Sequence, residues 1–480
     1  MTVLTSEEVV RPICLVGGRE EPGAQRFPVT YPYTGELVGE APLLDRATVR
    51  RALDLAGDAR VPLDRAERAQ VLERVAARIA AETEPLARLI TLESGLCLAD
   101  TRHETGRAAD VFRFAAQAAL DDDGRAFACD VSPHGRPRRA YTLREPVRLV
   151  AAVTPFNHPL NQVAHKVAPA IAAAAPIVLK PSEKTPLAAL WLARAILEVG
   201  YPEDALAVVT GNREEILDEL LAHPVVEVVS FTGGVAVGKE IARRLGYRRA
   251  VLELGGNDPL LVLRDADVER AAELAVTGAT RNSGQRCTAV KRVLVDEPLA
   301  DSLASAIAER AARLTVGDPL VDDTDVGTLI DERAAELVER RVLDAVSAGA
   351  ALLGGGDRTG AQLVPPVLDQ VRPEHELVRE ETFGPAIPIV RVRDLDEALA
   401  VANGTRYGLS SGVVSNDLAA ITRCIRELRC GTVNVREVPG FRTEATPFGG
   451  VKDSGLGAKE GVIEAMRGMT NLKLFTLPWP

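Results

Sequence analysis

The sequence contains few cysteines, and no two of them form a Cys-x-x-Cys pair. None has histidine partners at the spacing of a metal site, so the pattern indicates neither a zinc site nor a disulfide framework. A reducing cytosol is therefore the expected compartment, and no resident metal is expected. The six cysteines are Cys14, Cys97, Cys129, Cys287, Cys424 and Cys430.

The chain also lacks a long apolar run and an excess of basic residues. Its longest apolar stretch, residues 167–179, is too short to cross a bilayer and contains Pro169 and Pro176. The first twenty residues carry acids such as Glu7 and Glu8 rather than the basic-then-apolar pattern of a targeting signal. The net charge of -11 and the pI near 5.3 argue against a nucleic-acid or anionic-membrane surface. We expect a soluble cytoplasmic protein.

What the sequence does have is ample length and an ordinary composition. With 480 residues, 46% hydrophobic and 26% charged, it suffices for roughly two to four domains with a substantial core. Glycine and proline turns before residue 60 predict hairpins leading to a helix over 46–58. Residues 64–120 have helical periodicity and predict two or three long helices, which end at 121–124. Residues 136–144 predict an exposed strand pair.

Short β-branched runs separated by helix-like segments begin after Val147. Their alternation predicts βαβ units in a parallel sheet, and ligands of such sheets bind beyond the carboxyl ends of the strands. The loops that start at Thr154, Lys180 and Phe231 should therefore meet at one crevice. A second α/β block is predicted from Asp258 to about residue 466, and one more exposed strand over 472–477. The β-branched runs cover residues 148–153, 176–179, 206–209 and 225–229.

The stretch from Asn282 to Thr288 concentrates reactive chemistry. Cys287 follows Arg286 among glycine and small polar residues, a setting that favours a thiolate. The apolar periodicity over 268–276 predicts a helix that breaks near Ser283 and leaves the cysteine on a loop. The alternative is that Cys287 is a small core residue, as most free cysteines are.

Residues 233–240, Gly-Gly-Val-Ala-Val-Gly-Lys-Glu, are similar to a triphosphate-binding loop. Glu240, however, occupies the position at which serine or threonine must bind magnesium, so we reject triphosphate hydrolysis. The glycines still allow backbone amides at a helix N-terminus to approach a pyrophosphate.

Other polar groups follow predicted strands, and each has two interpretations. Lys180 and Glu183 either bind ribose hydroxyls or lie in a solvated loop. Glu253, the first residue of the motif Glu-Leu-Gly-Gly, is either a general base or a structural acid. Asn157 is either a donor to an oxyanion or an ordinary turn asparagine.

Taken together and in order, these motifs resemble the aldehyde dehydrogenase superfamily over essentially the whole chain. The resemblance implies an α/β fold with a Rossmann-like NAD-binding domain at 1–124 and 148–253 and an α/β catalytic domain at 254–466. It also implies a small β oligomerisation element at 125–147 and 467–480, and a homodimer or homotetramer. The family commonly has serine at Gly234, which puts one pyrophosphate hydrogen bond in doubt. The motifs are Pro-Phe-Asn157, Lys180-Pro-Ser-Glu183, Phe-Thr232-Gly233, Glu253-Leu-Gly-Gly, Gly-Gln-Arg-Cys287 and Glu381-Thr-Phe383-Gly-Pro.

The resemblance also implies a role for each motif residue. Cys287 would be the nucleophile, and Asn157 with the Cys287 N–H would hold the oxyanion. Glu253 would activate water to hydrolyse a thioester, which disfavours acyl transfer to coenzyme A. The Glu183 carboxylate would accept ribose hydroxyls and repel a 2′-phosphate, so NAD is expected rather than NADP. The residues expected at the cofactor are Thr154, Pro155, Phe156, Lys180, Ser182, Glu183, Thr232, Gly233, Gly234, Gly238, Leu254, Glu381 and Phe383.

Cations near these motifs predict an anionic aldehyde as substrate. The set resembles that of family members that oxidise phosphonoacetaldehyde to phosphonoacetate, and guanidinium groups match the oxygens of such a head group. Phosphonoformaldehyde, lactaldehyde, succinic semialdehyde and glyceraldehyde 3-phosphate stay open as substrates, as does a silent scaffold that retained the fold. The expected substrate-binding residues are Arg107, His158, Arg286, Thr288 and Arg442.

Overall fold

The computed structural model describes residues 9–121, 123–458 and 460–479. The sequence features noted at Glu7, Glu8 and Asp122, and the outer ends of the predicted segments 1–124 and 467–480, lie outside these residues. Within the described ranges, none of the helices combines the length and the apolar character needed to cross a membrane.

The N-terminal part consists of two antiparallel hairpins followed by four helices, in agreement with the sequence pattern. Aspartates begin the first two helices, because Asp45 accepts the Thr48 N–H and Asp64 forms a reciprocal capping box with Glu67. The elements are β1 (Cys14–Val16), β2 (Arg19–Glu21), β3 (Gln25–Thr30), β4 (Leu37–Leu43), α1 (Arg46–Asp58), α2 (Arg65–Ala81), α3 (Thr83–Ser94) and α4 (Leu98–Leu120).

A five-stranded parallel sheet follows, in the order β11-β10-β7-β8-β9. Its central strands are buried on both faces by the flanking helices, as expected of βαβ units. Two strands, the short β5 and the nine-residue β6, precede it and belong to another sheet. The elements are β5 (Ala126–Ala128), β6 (Arg138–Pro146), β7 (Val150–Val153), α5 (Asn161–Ala173), β8 (Ile177–Lys180), α6 (Leu187–Glu198), β9 (Leu206–Val208), α7 (Arg213–Ala222), β10 (Val228–Thr232), α8 (Val235–Arg244) and β11 (Arg249–Glu253).

The second α/β block contains a seven-stranded sheet in the order β14-β17-β18-β13-β12-β19-β20, parallel except for β14. Alternate residues of β12 enter different cores: Leu260 and Val262 pack on one face and Leu261 on the other. Its first elements are β12 (Pro259–Val262), α9 (Val268–Thr280), β13 (Arg292–Asp296), α10 (Ala300–Ala311), α11 (Glu332–Ser347), β14 (Ala351–Gly354), β15 (Arg358–Thr359), β16 (Gln362–Leu363) and β17 (Val367–Asp369). The remainder are α12 (Glu376–Arg379), β18 (Ile387–Val392), α13 (Leu395–Asn403), β19 (Ser410–Val414), α14 (Leu418–Glu427), β20 (Thr432–Val435), α15 (Val462–Gly468) and β21 (Thr470–Pro478).

Two details differ from the sequence-based prediction. The predicted strand pair over 136–144 is one strand, β6, which pairs with β5 on one side and with β21 on the other. The strand expected at 225–229 is β10, which begins at Val228. Val225 and Val226 are buried but precede the strand, so their apolar character reflects burial in the turn after α7.

The end of β11 pairs with the segment that precedes α15. Glu253 forms a backbone bridge with Gly455, and the Leu254 N–H donates to the Ser454 carbonyl at 3.1 Å. Asn157, which follows β7, contacts Asn282 and Gln285, so the carboxyl end of the parallel sheet faces the segment after α9. The α/β fold class is confirmed, while the predicted domain boundaries stay a prediction.

Candidate active site

The segment that carries Cys287 begins where α9 ends, as the sequence predicts. Three successive residues have a left-handed backbone, with φ of 53° at Asn282, 51° at Ser283 and 70° at Gly284. Such conformations cost about 1–2 kcal/mol for residues other than glycine, so surrounding contacts must hold them. The Asn282 N–H donates to the Asp100 carboxylate at 2.7 Å, which fixes the first of these residues. Cys287 lies in the turn that follows.

Position 284 has no room for a side chain. A Cβ there would overlap the backbone of Gly384, which directly follows Phe383. The close approach brings the Cys287 segment against the Glu381-Thr-Phe383 motif, so two motifs far apart in sequence come together.

Asn157 lies against the same segment. Its Nδ2 donates to the Gln285 carbonyl at 2.7 Å, and its own carbonyl accepts from Asn282 Nδ2 at 3.1 Å. The amide is therefore held two residues from Cys287, in a position compatible with the predicted oxyanion role.

The surroundings of Cys287 include charges that the expectation of a thiolate beside Arg286 did not take into account. Burial raises the pKa of the Cys287 thiol to about 11, and the cation that opposes this shift most is Lys291, while Asp258 and Glu381 add to it. Arg286 itself is desolvated, and burial together with Arg107 and Arg281 lowers its pKa to about 10. Formation of the thiolate therefore depends on the balance between desolvation of the sulfur and the cations around it.

Glu253 is a buried residue at the end of β11. Its carbonyl accepts from the Gly233 N–H at 3.0 Å, which ties it to the glycine turn before α8. Strand β10 ends at Thr232, so the base candidate and the pyrophosphate-loop candidate occupy neighbouring strand ends.

The predicted cofactor residues lie around the strand ends, as the topology requires. Lys180 Nζ is 3.1 Å from Glu183 Oε2, and this partner lowers the pKa of the Glu183 carboxyl although burial opposes it. Ser182 Oγ accepts from the Lys184 N–H, and Thr232 Oγ1 accepts from Lys166 Nζ at 2.8 Å. The buried Lys166 also pairs with Glu460, a contact that sequence reasoning missed.

The glycine turn has room for a ligand. A Cβ on Gly234 would meet nothing within 4 Å, whereas one on Gly238 would overlap Leu254. Gly234 begins α8 without a side-chain cap, which leaves the first N–H groups of the helix available to an anion. Nearby, the buried Thr154 Oγ1 has no hydrogen-bond partner within the described residues. These features fit the pyrophosphate of a dinucleotide.

On the other side of Cys287, Glu381 and Phe383 form a second group. Glu381 Oε1 accepts from the Gly256 N–H at 3.0 Å, and burial raises the pKa of its carboxyl. Phe383 lies edge-on to Phe156, with ring centroids 5.8 Å apart. Pro155 and Phe156, which follow β7, are thereby brought to the motif at 381–383.

A pocket of about 500 Å³ joins three of the predicted cations, Arg107, Arg286 and Arg442. Thr288 borders it, since a Cβ on the lining residue Gly440 would lie 2.5 Å from Arg286 Nη2 and 2.6 Å from Thr288 Oγ1. Sequence reasoning missed other lining residues: His103, Arg281 and Glu444. His103 precedes Arg107 by four residues on α4, a spacing that places both on one helix face.

Glu444 organises the inner end of this pocket. It accepts hydrogen bonds from Arg107 and His165, and Arg442 Nη2 is 3.9 Å away. Burial opposes its ionisation, but these three partners hold the pKa of Glu444 far below its usual range. The carboxylate therefore neutralises part of the positive charge that the arginines bring.

His158 is not among the residues that line this pocket. Its ring contacts Asn282 Nδ2 at 3.2 Å, and its Nδ1 is 3.5 Å from Glu104. Burial lowers the pKa of His158, and Arg107 and Arg286 act in the same direction while Glu104 opposes them, so the ring is neutral rather than the cation that the sequence suggested. Its role in binding the aldehyde stays a prediction.

The cysteines and acids of the described part of the chain form no cluster of three or more potential metal ligands, and all six thiols are free.

Comparison with known proteins decides the family. The model of the aldehyde dehydrogenase family matches residues 19–475. The chain belongs to the aldehyde dehydrogenase family. It is 36% identical over 463 residues to a 3-sulfolactaldehyde dehydrogenase of Priestia aryabhattai, covering 96% of this chain and 97% of the relative. It is 34% identical to a sulfoacetaldehyde dehydrogenase of Neptuniibacter caesariensis, with 94% and 99% covered.

Solved aldehyde dehydrogenase structures share the architecture. An NADP-dependent glyceraldehyde-3-phosphate dehydrogenase from Bacillus halodurans, complexed with NADP, superposes with a TM-score of 0.95 at 34% identity, covering 98% of this chain and 100% of its own. An NAD-dependent aldehyde dehydrogenase from Sinorhizobium meliloti gives 0.93 at 33%, with 98% and 95% covered. The protein is accordingly an NAD(P)-dependent enzyme that oxidises small aldehydes.

Replacing Gly284 by alanine tests the left-handed turn. Because the Cβ meets both an unfavourable φ and the Gly384 backbone, we expect a loss of about 2–4 kcal/mol in unfolding free energy and loss of most aldehyde turnover. Gly360→Ala is a matched control, since Gly360 also has a positive φ of 57° but open space around its Cβ. Urea unfolding and steady-state rates would measure both variants. Equal behaviour of the two would contradict the importance of the Gly384 contact.

Proposed function

We propose that this enzyme uses NAD to oxidise a small aldehyde with a tetrahedral anionic head group, phosphonoacetaldehyde in the first place, to the carboxylate. The observation that carries the proposal is Arg286. It lines the pocket and is the residue that precedes Cys287 in the sequence. Within the described residues, no carboxylate lies within 4.0 Å of its guanidinium. A desolvated cation without a carboxylate is unfavourable until an anion binds.

Arg442 supports the same conclusion. Its Nη1 is buried and has no hydrogen-bond partner among the described residues, and its guanidinium lies over the Phe448 ring at 4.1 Å. Arg107 lowers the pKa of both Arg286 and Arg442, although for each of them burial is the largest cause. Donors from several sides can therefore converge on the oxygens of one head group.

A sulfonate aldehyde is the second candidate. A sulfonate has the same three oxygens as a phosphonate, and the two curated relatives described above are named for sulfonate aldehydes. We expect the other three aldehydes to match the arginine guanidinium groups less well. Lactaldehyde is neutral, succinic semialdehyde ends in a planar carboxylate, and glyceraldehyde 3-phosphate is longer.

The chemistry proposed for the chain's own residues follows from their positions. The Cys287 thiolate attacks the aldehyde carbon, and Asn157 Nδ2 with the Cys287 N–H stabilises the oxyanion of the thiohemiacetal. NAD supplies the hydride acceptor. Glu253 then takes a proton from water, which hydrolyses the Cys287 thioester and releases the acid.

The residues at the crevice would hold NAD in a consistent order. The N–H groups that begin α8 approach the pyrophosphate, and Glu381 with Phe383 lies at the nicotinamide end. Lys180 and Glu183 take the adenosine ribose. The ionised Glu183 accepts two free hydroxyls and repels a 2′-phosphate, which favours NAD.

We further propose that the antiparallel sheet β21-β6-β5 is the oligomerisation element. Leu472, Leu474 and Leu477 expose large apolar side chains on strand β21, and Trp479 follows the strand, an arrangement typical of a subunit contact. Leu472 and Leu474 point to one face of the sheet and Leu477 to the other, because side chains alternate along a strand. Homodimer and homotetramer are both compatible with such an element.

Two substitutions separate the proposed steps of catalysis. We expect Cys287→Ala to abolish turnover and any burst, whereas Glu253→Gln should give one burst of NADH and then stall, because hydrolysis lacks its base. Rapid-mixing absorbance at 340 nm measures the burst amplitude. Sustained turnover by the Glu253 variant at the wild-type rate would remove the role assigned to Glu253.

Glu183→Gln tests the cofactor preference. Losing the negative charge should lower kcat/KM for NAD and raise it for NADP, each at least severalfold, because repulsion of the 2′-phosphate disappears. Glu198→Gln is a matched control with the same side-chain exposure of 42% and an arginine partner of its own. A wild type that prefers NADP would refute the assignment of Glu183.

Arg286→Ala tests the anion pocket. We expect kcat/KM for phosphonoacetaldehyde and sulfoacetaldehyde to fall roughly 10- to 150-fold. This corresponds to the loss of about 1.5–3 kcal/mol of transition-state stabilisation from one charge-assisted contact. Neutral lactaldehyde should lose much less. Arg313→Ala, a surface arginine, serves as the control. Equal losses for charged and neutral aldehydes, or a wild-type preference for lactaldehyde, would contradict the proposal.

A further inference from the structure

Lys291 lies between the Cys287 turn and strand β13, and its side chain is only 3% exposed. Its Nζ donates to the carbonyl of Arg286 at 2.7 Å and to the carbonyl of Cys287 at 2.7 Å. Glu381 Oε1 is the third partner, 3.5 Å away. Two of the three N–H donors of the ammonium are thus hydrogen-bonded to backbone carbonyls, and the Glu381 carboxylate balances its charge.

The three acceptors join two parts of the proposed mechanism. Two of them are backbone carbonyls of the turn that presents the nucleophile. The third is the carboxylate that we place at the nicotinamide end of the cofactor, and it also accepts from the Gly256 N–H at 3.0 Å.

The backbone at 255–256 packs closely against this arrangement. A Cβ on Gly255 would overlap the Glu381 carboxylate, and a Cβ on Gly256 would lie 2.5 Å from the Cys287 carbonyl. Neither the carboxylate nor the carbonyl has room to move away from Lys291. The Lys291 N–H itself donates to the Asp258 carbonyl at 3.0 Å, which anchors the residue from its backbone as well.

Charges of both signs act on Cys287. Burial is the largest influence on its pKa and raises it. Lys291 and Arg442 act in the opposite direction, and Asp258 and Glu381 act with burial. Lys291 is the stronger of the two cations and is the one fixed directly to the carbonyl of the cysteine.

We propose that Lys291 is the positioning residue for the nucleophile: it holds the Cys287 turn by two carbonyls, stabilises the thiolate, and connects the cysteine to Glu381. This inference rests on the proposed role of Cys287. When Glu381 hydrogen-bonds to ribose hydroxyls, its charge is shared with them and compensates Lys291 less. The thiolate then becomes more stable at the moment when the cofactor subsite is filled.

Thiol alkylation tests this without any aldehyde. The rate of Cys287 modification by iodoacetamide would be measured by peptide mass spectrometry from pH 6 to 11 for wild type, Lys291→Met, Lys291→Gln and Lys291→Arg. Removing a cation this close to the sulfur should raise the pKa of the Cys287 thiol by about one unit or more. We therefore expect Cys287 of the Lys291→Met variant to react roughly tenfold more slowly at pH 8. Lys291→Arg should recover most of the rate.

The glutamine variant separates charge from position. It keeps N–H donors for the carbonyls but has no charge, so it should show a raised thiol pKa with an unfolding midpoint close to that of the wild type. Addition of NAD should accelerate alkylation of the wild type, and it should accelerate Glu381→Gln much less. Lys239→Met, which removes a lysine that is 45% exposed and paired with Asp453, is the control and should alkylate normally.

Distinct results would overturn the inference. A wild-type alkylation profile in folded Lys291→Met or Lys291→Gln would remove the link between the ammonium and the thiolate. A loss of reactivity in all three variants that follows only their unfolding midpoints would reduce Lys291 to a structural residue. Turnover by Cys287→Ala would instead contradict the proposed function, and that result is independent of the alkylation profiles.

Discussion

The left-handed backbone at Asn282, Ser283 and Gly284 is the constraint on which the active site depends. A helix that continued past Thr280 would carry Cys287 away from Asn157 and from the motif at 381–383. The reversal is unfavourable in isolation. It persists because Asp100 accepts the Asn282 N–H and Asn157 holds both flanks of the turn, while Gly284 fits against Gly384 without a side chain. Contacts from α4, from the loop after β7 and from the 381–384 segment therefore maintain one conformation.

This turn also separates two charged surroundings. On one side are Lys291, Glu381 and Asp258, and on the other are the arginines around Glu444. The first group acts on the sulfur and, in our proposal, on the nicotinamide end of the cofactor. In our proposal the second group binds the distal end of the aldehyde, and Arg442 also acts on the sulfur. An aldehyde with an anionic head group would contact the arginines at its distal end and Cys287 at its carbonyl end. The two contacts together would align the carbonyl carbon with the thiol.

Sequence reasoning reached the parallel sheets and the break after α9, because these follow from periodicity and from the fixed geometry of parallel strands. The gathering of Arg107, Arg286 and Arg442 was expected instead from the family resemblance and from their positions beside the motifs. It did not reveal how far the surroundings desolvate Cys287, which raises the pKa of the thiol. Nor did it reveal that the His158 ring is desolvated beside Glu104, which lowers the pKa of the ring. Lys291 and Glu444 escaped notice because each acts through a tertiary contact that has no local pattern. Val225 and Val226 show the same limit, since apolar residues report burial in turns as well as in strands.

The small sheet joins distant parts of the chain. Strand β6 has β5 close by in sequence, but its other edge pairs with β21, and 338 residues separate Arg138 from Thr476 across that pairing. On a ribosome, β6 emerges long before its partner is made, and the intervening chain includes both large sheets. An unpaired strand edge of this kind is open to pairing with another nascent chain. Completion of the small sheet is thus a late event in synthesis of the chain, and until then one edge of β6 stays without its native partner.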